Sequence, residues 1–341
     1  MLVLIRHGVK EVLNFKELGE FNILNIFING WLGVDLFFVI SGFLITHHLL
    51  RNWQQTSFGR QTFLLRYFSK RILRTFPTYY FILALYLLGL LPNFSEALHN
   101  SWNILIIHLL FMQDMTGNVI LPSLWSIAVE EKFYIIAPTA LFLISRIQSH
   151  KKKILLICSL SVLPLIFRLL NYNGNFNDHQ FFYVVRAPFL QSIDGIILGG
   201  IIAYLNFKDI KPQKLFLKKR PLIVNFLFFK IVCILYYKVY LLGDLMDVYL
   251  LFLLPLLFSL ILFFGLDLKK SLFQNKFMFF FSNISYSLYL VHMTIIPFSL
   301  DITNSTGGFL FLYFLMSVSL STLIHLTIEK PFIILKNRID L

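Results

Sequence analysis

The chain has 341 residues, 57% of them hydrophobic and only 14% charged, with 39 Phe, a net charge of +13 and a mean hydropathy of +0.75. A soluble globular domain, with about a quarter of its residues charged, is excluded by that composition. Lipid obliges every crossing segment to satisfy its own backbone, so the expected fold is all-α: one polytopic bundle over 1–341, without an appended soluble domain.

Apolar stretches of about 20 residues match the ~30 Å of hydrocarbon in a bilayer. They predict spans near 31–50, 72–91, 124–145, 154–171, 182–205, 221–242, 247–266, 277–300 and 308–328. Residues 1–9 read as the end of a further span, incomplete at the N-terminus, which brings the total to about ten. The same residues make a poor signal peptide, because no small-residue cleavage site follows an apolar core. Residues 101–113 are apolar but too short to cross, and read as a re-entrant or interfacial piece.

Charge placement tests this division independently. Segments 51–74, 146–153, 207–220, 267–276 and 329–341 hold 22 of the 30 Lys and Arg. The alternate connections, at 10–30, 92–123, 172–181, 243–248 and 301–307, hold only Lys10 and Lys16 but nine acidic residues. Positive charge stays cytoplasmic, so the basic set and both termini are expected inside a cell (inner) membrane. The lipid bilayer accounts for the positive charge, and no nucleic-acid partner is expected. Cys158 and Cys233 fall on different spans and are expected as buried, unpaired thiols; no metal site is expected.

Ionisable groups inside lipid are costly and become functional candidates by default. The predicted spans contain Asp35, Glu130, Glu131, Lys132, Arg168, Arg186, Asp194, Lys230 and Lys238, with His108, His292 and His325. Arg186 and Asp194, eight residues apart on one predicted helix, read as a structural polar pair, and Lys230 and Lys238 as a snorkelling or polar seam. His7, Asp35 and Glu130 fall at a similar outer depth on three different spans. A histidine beside a carboxylate is the smallest unit for general-base work. At the inner mouth of a span, Arg71 and Arg74 are three residues apart on one helix face, where two guanidinium forks can hold phosphates. An ordinary basic anchor is the alternative for that pair.

These residues stand in longer strings. Gly33-Val34-Asp35-Leu36-Phe37-Phe38-Val39-Ile40-Ser41-Gly42 resembles the Phe-Phe-x-x-Ser-Gly signature of the membrane-bound acyltransferase family 3. Arg71-x-x-Arg74 followed by Pro77 is similar to its paired-arginine motif, and Trp125-Ser126-Ile127-Ala128-Val129-Glu130-Glu131-Lys132-Phe133-Tyr134 to its tryptophan string. Ser285-Tyr286-Ser287-Leu288-Tyr289-Leu290-Val291-His292 and Glu329-Lys330-Pro331-Phe332 resemble its late motifs. The resemblance implies transfer of an acyl group, usually acetyl from cytosolic acyl-CoA, to a hydroxyl of a carbohydrate or glycolipid, with acyl-CoA as co-substrate and no bound cofactor. It implies His7 as the catalytic histidine with Glu130 as its acid, and Arg71 and Arg74 as donor-binding arginines. Ser41 and Gly42 join them where the backbone can approach closely. Asp35, Trp125, Ser126 and His292 are expected to shape or support the acceptor side. The family pattern also has an arginine upstream of the histidine, beyond the first residue here; the adjacent Arg6 is no substitute.

Direct transfer in a ternary complex and an acyl-histidine relay both suit these residues. A proton-coupled transporter also suits buried charges, but predicts inverted repeats that the two halves do not display. A polysaccharide polymerase or flippase predicts large outer loops, where this chain has short ones.

Overall fold

The computed structural model describes residues 1–12, 25–55, 60–91, 102–116, 119–210, 220–237, 243–266, 275–303 and 305–339. Every regular element among them is helical. Five stretches of the described residues are long and apolar enough to cross a bilayer: Asn25–Asn52, His150–Asn171, Leu245–Gly265, Lys276–Ile302 and Thr306–Arg338. They coincide with five of the predicted spans and make this a helical membrane protein.

The chain opens with α1 (Leu2–Val12), a helix of 11 residues. A short α2 (Asn25–Ile28) and a 3-10 turn (Asn29–Trp31) lead into α3 (Leu32–Gln55). Next come α4 (Arg60–Leu87), which carries Pro77 in its interior, and α5 (Trp102–Leu109). At eight residues, or ~12 Å, α5 is too short to cross, as expected for 101–113. It is pinned by His108, whose Nδ1 donates to Ile104 O (2.8 Å) while Nε2 accepts from Ile120 N (3.2 Å). Tyr79 and Tyr80 of α4 donate to His108 O (3.0 Å) and Leu109 O (2.9 Å). Buried backbone that is not helical is thereby satisfied by side chains. His108 is therefore a structural residue.

After a 3-10 turn at Pro122–Leu124 come α6 (Trp125–Ser145) and α7 (His150–Asn171). The predicted span 182–205 is not one helix. It divides into α8 (Asp178–Phe181), a π-turn (Phe182–Arg186), α9 (Phe189–Ser192) and α10 (Asp194–Phe207). The break falls at Pro188, whose backbone is extended at ψ 145°. Asp114 braces this break: one oxygen accepts from Phe189 N (3.0 Å) and the other pairs with Lys132. Burial raises the Asp114 carboxyl above its usual pKa, and the Lys132 ammonium opposes that shift.

The rest is α11 (Arg220–Tyr237), α12 (Leu245–Gly265), α13 (Lys276–Val291), a 3-10 turn (His292–Thr294), α14 (Ile295–Ile302), α15 (Thr306–Ile324), a π-turn (His325–Glu329) and α16 (Lys330–Arg338). Cys158 and Cys233 are unpaired, as expected, yet exposed on helix surfaces and not buried. An apolar, weakly polar thiol is at home on a face turned to lipid. Lys230 lies over the Phe226 ring, and Lys238 falls outside the described residues.

The α3–α10 crossing sets the core. A Cβ on Gly42 would stand 2.0 Å from Ile196 O, and one on Gly199 2.0 Å from Val39 O. Small residues let two backbones touch where lipid gives helices no hydrophobic reason to associate. Ser41 is buried beside this contact. The close approach at Gly42 is to the backbone of another helix.

Candidate active site

His7 lies two turns into α1 and is half-buried. Gly8 beside it lets α1 lie flat on Tyr313, where a Cβ would meet the ring at 2.6 Å, and the Tyr313 hydroxyl donates to Leu4 O (3.1 Å). Arg6, on a different face, donates to Ile28 O. With both faces of α1 fixed, the His7 ring is presented to His292, with centroids 5.2 Å apart and planes inclined by 51°.

His292 occupies the 3-10 turn between α13 and α14 and is 1% exposed. Its Nδ1 lies 2.8 Å from Tyr289 O, which can only accept, so Nδ1 carries the proton. Nε2 is buried and has no hydrogen-bond partner among the described residues. Tyr289, one turn earlier, is 5.6 Å from the His292 ring, centroid to centroid. Its hydroxyl shares a 2.6 Å hydrogen bond with Ser126 Oγ and reaches Ser123 O at 2.7 Å. Ser126 is thus a brace for Tyr289, and through it for His292.

A cavity of about 360 Å³ opens between these elements, lined by His7, Arg6, Trp31, Trp125, Arg186 and Tyr289, with Asp178 and His179 at its edge. Its floor is an aromatic and ionic box. Trp125 meets Phe38 and Phe182 edge-on at 5.7 and 5.5 Å. The Arg186 guanidinium lies 4.6 Å from the Trp31 ring and 5.6 Å from Trp125. Asp35 Oδ2 accepts from Arg186 Nη2 at 3.0 Å, with both side chains almost fully buried. Asp35 is therefore the counter-ion of Arg186.

The expected Arg186–Asp194 pair does not form. Asp194 accepts two hydrogen bonds from Arg168 of α7, at 2.7 and 3.1 Å. The break at Pro188 turns Arg186 and Asp194 to different neighbours, so an eight-residue spacing does not put them on one face. Each charge has a partner from another helix, as a buried charge requires.

The Glu130 carboxylate is engaged by Tyr134 and not by His7. No hydrogen bond or ion pair joins Glu130 and His7 among the described residues. Glu130 Oε1 accepts from the Tyr134 hydroxyl at 2.6 Å, and Tyr134 O accepts from Tyr67 at 3.1 Å. Arg71 stacks on this assembly, its guanidinium 4.9 Å from the Tyr134 ring and 5.7 Å from Tyr67. Tyr134 is nine residues beyond Trp125 on α6, which is ~13 Å along the axis. The arginine end and the histidine end are thus separate, with Glu130 between them and tied to the former. Arg74 is exposed one turn from Arg71. Glu131, beside Glu130, is buried, and its Oε1 has no partner among the described residues.

A second histidine cluster lies elsewhere: Glu329 Oε2 accepts from Ser287 (2.7 Å) and meets His325 Nδ1 (3.0 Å) across the π-turn. It joins α13 to the start of α16, which accounts for the Glu329 string structurally. The residues least legible beforehand are Tyr289, Ser123 and Arg186 in its aromatic box. Tyr289 had a signal: it precedes His292 by three residues, and so shares its helix face.

The fold and site define a helical membrane protein in which His7 meets the buried His292 beside an aromatic box, with Arg71 and Arg74 at the far end. The acyltransferase domain family matches residues 2–327, and the chain belongs to that family. It is 23% identical over 199 residues to a peptidoglycan O-acetyltransferase of Listeria monocytogenes, covering 54% of this chain and 32% of that protein. It is 30% identical over 190 residues to a candidate O-acetyltransferase of Staphylococcus aureus strain COL, covering 52% of this chain and 30% of that protein. A candidate acetyltransferase of Acidianus two-tailed virus is 30% identical over 187 residues, covering 54% of this chain and 51% of that protein. The chain thus spans from about a third to half the length of these relatives. No solved structure matches it.

Proposed function

We propose that the chain is an integral membrane O-acyltransferase that moves an acetyl or other short acyl group from cytosolic acyl-CoA to a hydroxyl of a surface carbohydrate or lipid-linked sugar. The observation that carries this reading is His7 on the wall of the aromatic-lined cavity, its ring backed by that of the buried His292. The cavity is walled by 122–125 and 178–186, next to connections that the charge distribution puts outside. Trp31, Trp125 and Tyr289 offer the flat faces on which a sugar ring stacks, and the peptidoglycan O-acetyltransferase named above supports a carbohydrate acceptor.

In this reading the donor docks at the opposite, cytoplasmic end. Its phosphates engage Arg71 and Arg74, and its slender thioester arm runs between the helices towards His7. A His7 nitrogen takes the proton of the acceptor hydroxyl as that oxygen bonds to the acyl carbon. The carbon–sulfur bond breaks, and the thiolate leaves with the proton that the imidazole returns. His292 supports His7 through its unpaired Nε2, and Glu130 positions Tyr134 and Arg71. Ten spans with both termini in the cytoplasm of the inner membrane belong to the same reading.

The test is release of CoA from acetyl-CoA by membranes carrying the protein, with mass spectrometry of surface glycans from cells with and without it. Release and an acetyl mass increment that both vanish with His7→Ala are the expected results. Equal acetylation and CoA release with and without the protein would sink the proposal.

A further inference from the structure

A second cavity, of about 330 Å³, runs along the outside of the bundle between α6, α7 and α10. Its body is aliphatic, formed by residues such as Ile136, Ala140, Leu160 and Leu163, and Ile136, Leu160 and Leu163 are also exposed at the bundle surface. It is therefore a groove open to the side. Lys153 and Lys208 line it together with Tyr204, and neither lysine has an acidic partner among the described residues. His150 meets the Tyr204 hydroxyl at 2.6 Å and fixes that end. Along α7 the groove reaches from Lys153 to Phe167, ~21 Å at 1.5 Å per residue. That is somewhat more than one leaflet of a ~30 Å hydrocarbon core.

We propose that this groove is a binding site for an anionic glycerophospholipid, its acyl chains lying against α6, α7 and α10 and its phosphate between Lys153 and Lys208. Charge decides the occupant. Two lysines without an acidic partner among the described residues, at one end of a leaflet-length apolar groove and in segments 146–153 and 207–220 that are rich in Lys and poor in acid, fit an anionic headgroup. A substrate is disfavoured by geometry: no residue lining the groove also lines the cavity that holds His7. The groove floor includes Phe133, Ala137 and Ile196, which pack in the same core cluster as Trp125. An occupied groove would therefore stiffen the wall behind the aromatic box.

Native mass spectrometry of the purified protein, titrated with phosphatidylglycerol or phosphatidylcholine, tests the site. One phosphatidylglycerol should bind ahead of the rest and more tightly than phosphatidylcholine. Lys153→Ala and Lys208→Ala should each weaken it about fivefold and together about 25-fold, at the usual strength of a lysine near an anionic headgroup. Lys276→Ala, exposed on α13, should change nothing. Ala140→Trp, which fills the groove, should remove the tight phosphatidylglycerol site. Equal binding of the two lipids, or parental binding by the double lysine variant, overturns the proposal. So does a polyprenyl phosphate or long-chain acyl-CoA that displaces phosphatidylglycerol from the parent at a lower concentration than phosphatidylglycerol itself needs to bind, since the groove would then hold a substrate.

Discussion

Replacing His7 and His292, singly and together, separates a working pair from two independent side chains. The ring centroids are 5.2 Å apart, and the buried Nε2 of His292 has no hydrogen-bond partner among the described residues. Loss of a group that transfers a proton lowers turnover by about two to four orders of magnitude. That range corresponds to ~2.7–5.5 kcal/mol of transition-state stabilisation. His7→Ala should fall in it, and His292→Ala should approach it, because His7 then loses its neighbour. If the pair acts as one unit, the double variant should be little worse than the poorer single. Glu130→Gln provides the contrast. Glu130 is bonded to Tyr134 and lies five residues beyond Trp125 on α6, ~7.5 Å along the axis. Its loss should therefore multiply with that of His7, as expected for separated sites. The assay is acetyl-CoA-dependent CoA release by membranes with equal amounts of folded protein. Near-parental release by His7→Ala would refute the mechanism. Losses for His7 and His292 that simply multiply would refute the pair.

Asp35→Ala leaves the Arg186 guanidinium buried without its counter-ion, and should cost about 3–5 kcal/mol, read as a lower melting temperature in detergent. Replacing both Asp35 and Arg186 with apolar residues should restore much of that, and equal melting of Asp35→Ala and parent would remove the ion pair from the account. Gly42→Val should be among the most damaging single changes outside the site, since its side chain must displace the Ile196 backbone. A variant that folds and melts like the parent would contradict the crossing. Arg71→Lys and Arg74→Lys should raise the KM for acyl-CoA, with Arg71→Lys also losing its stack on Tyr67 and Tyr134. Parental KM values for both would reduce these arginines to membrane anchors.

Composition and periodicity by themselves determined the solvent and most helix positions, because the demand for internal backbone hydrogen bonds in lipid is met locally, segment by segment. The strings around Ser41, Arg71, Trp125 and His292 likewise marked the family, being short runs that need no knowledge of their neighbours. The exclusion of 101–113 from the spans was also legible, since eight helical residues cannot bridge the core. Which charge meets which was not. Arg186 and Asp194 looked like a pair on an unbroken helix, and only the turn at Pro188 and the approach of α3 and α7 gave them Asp35 and Arg168 instead. Glu130 had the right depth for His7, but depth is one coordinate, and its carboxylate takes the hydroxyl of Tyr134 one turn further along the same helix. The partner that does reach His7 comes from the other end of the chain, where the helix breaks at His292. Ion pairs and ring contacts across a bundle depend on helix rotation and crossing, which are fixed by contacts such as Gly42 on Ile196 between segments distant in sequence.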